Sequence, residues 1–206
     1  MGKSVSDAPG EATTEGLWDA ARTSASDLDR LLEEGTWSDE ELSKALWLAA
    51  QWNQPKALES LLQHGAQDTN RHALGLSVKS LESLKLLLTA HKIDAKTANA
   101  GGHLLLHKVL GSGSEEVLRY FIENGVDLNL SYKGLTALHI CAFHGWVSST
   151  QALVEAGALT DIEATTSSYR ATVGETPTMV AKRQIRVQGA ANMDVAPWEE
   201  IERLLA

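Results

Sequence analysis

The feature that most constrains this chain is a period. His107 and His139 stand 32 residues apart, and Gly125 and Gly157 stand 32 residues apart as well. Two independent landmarks sharing one spacing mean that the same local structure is built more than once, which selects a stacked array over a single layered core. Around the landmarks the register recurs. One unit holds Gly134, Thr136, Leu138, His139, Ala142, Gly145, Leu153, Val154, Gly157 and Ala158; the unit before it holds Gly102, Leu106, His107, Gly113, Phe121, Ile122 and Gly125.

Inside the units the apolar residues follow a helical spacing. Leu58, Leu61 and Leu62, or Val117, Leu118, Phe121 and Ile122, form one stripe along a short helix. A pair of such helices cannot bury its stripes alone, so neighbouring pairs must stack to do it. Gly65, Gly125 and Gly157 follow the expected ends of second helices, where a residue able to take positive φ closes the helix. Pro177 belongs in a first helical turn, where its missing N–H costs nothing.

The stretch Lys133 to Ala158, KGLTALHICAFHGWVSSTQALVEAGA, resembles the ankyrin repeat, with its G-x-T-P-L-H-x-A-A-x-x-G pattern and a second helix ending in L-L-x-x-G-A. The likeness continues from Leu46 to Ala66, with Trp47 in the His position and Asn53 in that of the first Gly. A degenerate unit from Ala73 to His91 keeps Leu84, Leu87 and Leu88 but loses the glycines. Another, from Leu17 to Gly35, keeps Ala20, Ala21, Leu28, Leu31 and Leu32, and Gly174 to Arg183 restores Thr176 and Pro177 with Met179 in place of His. The resemblance implies an all-α ankyrin-repeat solenoid of about five to six helix-turn-helix units with degenerate terminal repeats, over residues 16–206. Residues 1–15, rich in small, polar and acidic residues, are expected to form a mobile tail.

Two stretches depart from the period. The connection between Asp161 and Gly174 is about eight residues too long, and a polar loop of that kind is either functional or mobile. A second polar run, Arg186 to Ala196, is expected to interrupt the last unit. The segment Ala196 to Leu205, with Trp198, Ile201, Leu204 and Leu205 on one face, reads as the closing helix of the stack.

Composition narrows the partners. A formal net charge of -9 without a basic stripe argues against nucleic acid. Cys141 is the single cysteine, so no intramolecular disulfide forms, and the expected location is the cytoplasm or nucleus. No apolar run reaches the roughly 18 residues of a membrane span, so stable membrane insertion is not expected. The opening Met1-Gly2-Lys3-Ser4-Val5-Ser6 fits the rule for acylation at Gly2, although one acyl chain without a polybasic segment holds a membrane only marginally. Oligomeric state has no signature here.

The usual catalytic patterns are missing. There is no G-x-S-x-G, P-loop or G-x-G-x-x-G, and Gly111-Ser112-Gly113-Ser114 does not follow a strand; no catalytic residue, metal or cofactor is expected. The resemblance implies that His107 and His139 are structural, bonding between neighbouring turns. It also places recognition residues at the loop tips and in the last turn of each inner helix: Gln51, Trp52, His103, Ser112, Leu135, Phe143, His144, Arg183 and Gln184. Trp52, Phe143 and His144 are the large groups expected to face solvent, where aromatic side chains make interface anchors. Trp47 is expected in the core.

Two classes of function follow. One is a protein-binding adaptor or inhibitor that recognises its partner on the concave face; the acids Glu33, Glu34, Asp39, Glu40 and Glu41 are either a solvated helix start or a sign of a basic partner. The other is a small-molecule or catalytic groove, motivated by six tryptophans and built with His103, His144 or the long loop near Tyr169 and Arg170.

Overall fold

The computed structural model describes residues 13–206, apart from 98, 101, 102 and 113 and the side chains of 97, 99, 100, 103, 104 and 112. Gly2 and most of the expected tail therefore lie outside the described residues. The chain forms two compact units, Met1–Lys92 and Ile93–Ala206.

The first unit contains three helix pairs: α1 (Thr14–Thr23) with α2 (Ala25–Glu34), α3 (Asp39–Gln51) with α4 (Pro55–Gln63), and α5 (His72–Leu76) with α6 (Leu81–Ala90). In the degenerate third pair α5 is short and runs into a 3-10 turn, Ser77–Lys79. The second unit repeats the plan with α7 (Leu105–Ser112) and α8 (Glu115–Glu123), α9 (Ala137–His144) and α10 (Val147–Glu155), and α11 (Pro177–Ala190) and α12 (Ala196–Leu204). In each unit the first helices of the pairs pack side by side as one layer, called inner below, and the second helices pack as the other. Strands β1 (Asn99–Ala100) and β2 (His103–Leu104) form an antiparallel hairpin ahead of α7, and a Tyr132–Leu135 bridge marks the corresponding turn ahead of α9.

The sequence explains most helix boundaries. Ser38 and Glu41 make a capping box at the start of α3, Ser80 and Ser114 cap α6 and α8, and Thr176 caps α11, which opens on Pro177. Burial falls on the expected stripes: Leu17, Leu28, Leu46, Leu58, Leu61, Leu84 and Leu87 in the first unit, and Leu105, Leu118, Phe121 and Leu138 in the second.

The closing glycines Gly65, Gly125 and Gly157 have φ of 87°, 69° and 88°. Where the glycine is missing, the turn geometry stays and another residue bears it: Lys92 closes α6 at φ 52° and Asn53 follows α3 at φ 54°. Left-handed backbone costs a side-chain-bearing residue on the order of 1 kcal/mol. Lys92→Gly should therefore raise the stability of the first unit, by up to about 1 kcal/mol, in a urea titration. A fall in the midpoint would mean that the lysine side chain contributes more than its backbone costs.

Two expectations need correction, and a third, the long connection read as functional or mobile, is narrowed. Arg186 to Ala190 does not interrupt the last unit but continues α11, whose other face buries Val180, Ala181 and Gln184; the break is confined to 191–195, where Asn192 turns the chain at φ 55°. Trp47 is half-buried, because Leu42, Ala45, Leu46, Ala49 and Ala50 already fill the core side of α3. The long connection is ordered by its own hydrogen bonds, Ala164 N–H to Glu175 C=O at 2.8 Å, Gly174 N–H to Ala164 C=O at 2.9 Å and Ser168 N–H to Ala171 C=O at 2.8 Å, and it buries Ala164 and Ala171.

Candidate functional site

The best-defined surface constellation belongs to the second unit, and it rests on a rigid base. His139 is fully buried. Its Nδ1 accepts from the Thr136 N–H at 3.2 Å and hydroxyl at 2.8 Å, so Nε2 carries the proton and donates to the Glu175 carbonyl at 2.9 Å. The imidazole thus ties the start of α9 to the turn ahead of α11. His107 makes the equivalent bond one repeat earlier, from Nε2 to the Leu135 carbonyl at 3.1 Å. Burial pushes both imidazoles below their ordinary pKa, and both are structural. Cys141, buried in α9, has its thiol pushed up to about 12 by desolvation and stays protonated.

The long connection is anchored onto this base. Thr165 N–H donates to the Gly134 carbonyl at 3.0 Å and the Thr166 hydroxyl donates to the Lys133 carbonyl. At its other end Arg183 donates to the Glu175 carboxylate at 2.9 Å and to the Arg170 carbonyl at 2.6 Å. Burial works against the charge on Glu175, but the Arg183 and Thr172 hydrogen bonds outweigh it and hold that carboxyl below the usual carboxylate range.

The anchoring delivers Tyr169 and Arg170 to the last turn of α9. Tyr169, 69% exposed, meets Phe143 edge-on at 5.5 Å; Phe143 meets His144 edge-on at 4.9 Å; His144 stacks on Trp146 at 4.4 Å and 11°. The Arg170 guanidinium sits 4.5 Å above the Tyr169 ring. Partial loss of hydration, and then the Arg170 charge, push His144 below its ordinary pKa, so it is chiefly neutral at neutral pH. The result is a continuous aromatic row with one cation over its exposed end. Such a surface offers apolar contact area, ring edges and a guanidinium to a partner.

The expected recognition residues divide accordingly. Phe143 and His144 join the row, together with Tyr169 and Arg170 from the connection. Gln51 and Trp52 end α3 in the first unit, Trp52 being 59% exposed. Leu135 and Gln184 are buried, because the hairpin turn folds Leu135 inward and α11, packed on both α9 and α12, has Gln184 on its covered side; neither side chain is open to a partner. Arg183 is half-buried and committed to Glu175 and Arg170. The side chains of His103 and Ser112 lie outside the described residues. Trp146 was missed, although it directly follows the turn glycine Gly145 and so had to lie beside the end of α9.

The tryptophans do not gather into one groove. The Trp37 indole donates to the Leu31 carbonyl at 3.0 Å and closes the end of α2, while Trp198 donates to the Phe143 carbonyl at 3.3 Å and covers Gly145 at the end of α9. Trp18 donates to the Glu41 carbonyl at 3.3 Å. These three indoles are taken up by backbone acceptors, while Trp146 stacks on His144 and Trp52 is exposed in the first unit. Among the described residues no group of three or more His, Cys, Asp or Glu could hold a metal ion, and no helix is long and apolar enough to cross a membrane.

Comparison with known proteins agrees with this architecture. The family model for ankyrin repeats, in three copies, matches residues 72–166. The mouse protein fem-1 homolog A-like is 41% identical over 69 residues, covering 33% of this chain and 11% of that protein. Ankyrin repeat domain-containing protein SAT10 of Stachybotrys chartarum is 33% identical over 150 residues, covering 68% of this chain and 8% of that protein. The chain thus spans only a small part of either relative's length. A crystal structure of an ankyrin repeat domain from Acinetobacter baumannii superposes with a TM-score of 0.63 at 26% identity, covering 92% of this chain and 95% of that one. With the repeat register, the paired helices and the histidine bonds between turns, these matches place the chain in the ankyrin-repeat family, whose repeats are protein-interaction modules.

Proposed function

We propose that this chain is a protein-binding adaptor or inhibitor that receives its partner on the inner-layer face of the second unit, centred on Phe143, His144, Tyr169 and Arg170. The observation that carries the reading is Tyr169: an aromatic ring 69% exposed, held in place by Phe143 beneath it and Arg170 above. Leaving such a ring in water is costly, and a pre-ordered aromatic anchor loses little entropy on binding. An ordered connection longer than the repeat requires, ending in this ring, is consistent with a contact element.

The test is affinity capture of the partner from cells with the full chain, followed by titration. Tyr169→Ala and Phe143→Ala should each weaken binding by on the order of 2 kcal/mol, roughly thirtyfold, with helicity unchanged. Arg119→Ala on α8 and Glu59→Ala on α4 should change it by less than about twofold, since exposed rim and off-face residues contribute little. If the two outer substitutions abolish binding and the aromatic ones do not, the face is assigned wrongly.

A further inference from the structure

The helices of the second unit sort their charges by layer. The inner helices α7, α9 and α11 carry Lys108, Lys182, Arg183 and Arg186 and not one carboxylate. The outer helices α8, α10 and α12 carry seven carboxylates, three each in α8 and α12 and one in α10, against two arginines, Arg119 and Arg203. The connections leading into α9 and α11 add Lys133 and Arg170 against Asp127, Asp161 and Glu163, with Glu175 already taken by Arg183. Within this unit the helices of the layer that bears the aromatic row are thus cationic and those of the other layer acidic.

Its placement around the row is specific. Arg183 donates to the Arg170 carbonyl, so α11 and Tyr169 share one neighbourhood, and Arg186 lies one helical turn beyond Arg183 on the same side of α11. Arg186 is exposed, and the adjoining Val187 is 52% exposed. Lys182 leans toward Glu202 of α12 at 3.5 Å, a pair exposed enough to be weak. The Nε of Arg170 is buried with no partner among the described residues. Arg183 shows how a carboxylate is received here, with Nε and Nη2 at 2.9 and 3.3 Å from the two Glu175 oxygens.

We infer that the partner segment received by this face is acidic: a stretch of protein with Asp or Glu set between apolar or aromatic side chains. Its carboxylates meet Arg170 and Arg186, and its apolar groups meet Tyr169, Phe143 and Val187. This rests on the function proposed above and adds the partner's chemistry. Cations on the inner-layer helices, with the outer helices acidic, steer an acidic segment to one side of this unit and repel it from the other. A nucleic acid also stacks bases on aromatic rings, but it carries a charge on every residue, which the few cations of this layer do not match, and its binding is one outcome of the test. The basic partner that the acids of residues 33–41 would suit concerns the first unit, where Glu41 is held by Ser38 and Glu34 pairs with Arg30.

The test uses the full chain and fluorescent peptides of about twelve residues with a fixed aromatic content and net charges from about −6 to +6, read by anisotropy, beside a single-stranded oligonucleotide of matched charge. Affinity should rise with negative peptide charge. R170E/R186E should weaken the acidic peptides by at least about tenfold, whereas R119E/R203E, with the same change in net charge on the outer layer, should weaken them less than about twofold. If R170E/R186E does not fold by circular dichroism, R170Q/R186Q takes its place, with a loss of roughly fivefold expected. A flat or opposite dependence on peptide charge overturns the inference, as does binding of no peptide, equal loss in the outer variant, or tighter, Arg170-dependent binding of the oligonucleotide. Should Tyr169→Ala weaken every peptide alike while charge has no effect, the interface stands and only the acidic partner falls. If neither Tyr169→Ala nor R170E/R186E matters, the proposed interface falls with it.

Discussion

Replacing His139 by alanine should unfold the second unit far more readily, lowering stability by about 3 kcal/mol and the melting temperature by on the order of 10 °C. The imidazole accepts from the Thr136 N–H and hydroxyl and donates to the Glu175 carbonyl. Alanine leaves these groups without their partner and opens a cavity in a place where His139 has no exposed surface. Burial of the same ring sets a pH dependence, because desolvation disfavours its charged form. The folded pKa of His139 lies below its ordinary value, as does that of His107, so the unfolded chain takes up protons first. Their contribution is complete above about pH 6.5 and is lost as pH falls below it, through the folded pKa. Melting curves between about pH 7 and 5 should show this decline in the parent chain and a shallower one in His139→Ala. An unchanged melting temperature with lost binding would make His139 a functional residue instead.

A comparable loss is expected from Gly134→Ala, and its cause can be separated by a control. Gly134 has φ 78°, and a Cβ there would lie 2.7 Å from the Thr166 backbone nitrogen, because the long connection crosses directly over this turn. Left-handed strain of roughly 1 to 2 kcal/mol and a steric cost of similar size should combine to about 3 kcal/mol. Gly157 has φ 88° but nothing within 4 Å of a built Cβ, so Gly157→Ala should show the strain alone, about 1 kcal/mol. Chemical denaturation of the two variants reads the difference. The Gly134 change should also weaken partner binding, since the Thr165 and Thr166 hydrogen bonds that anchor the connection to this turn would be displaced. Equal losses at the two glycines would show that the connection yields without cost, and Tyr169 would then not be held as described.

The candidate site was legible in the sequence only in part. Phe143 and His144 could be placed at the end of an inner helix because the repeat register gives each position a fixed role. Leu135 and Gln184 occupy positions of the same kind, yet the structure buries them, because a register predicts where a residue stands along the element and not how the neighbouring repeat covers it. Trp47 and the continuation of α11 through Arg186 to Ala190 show the same limit, since half-burial and helix length were decided by what else fills the adjoining surface.

What the sequence determined by itself is the local and periodic part. A spacing of 32 residues, helical apolar stripes, and Ser, Thr, Pro and Gly at helix ends specify paired helices and their turns, because each acts within a few residues of its own backbone. The assignment of His139 to structure also came from the repeat. Only the tertiary structure decided where the long connection goes, which aromatic rings share one row, and which charges share one layer. Tyr169 and Phe143 are 26 residues apart and Trp198 reaches a carbonyl 55 residues away. Contacts of that range depend on how repeats stack and how one loop folds back over a turn, and no spacing rule within the chain carries that information.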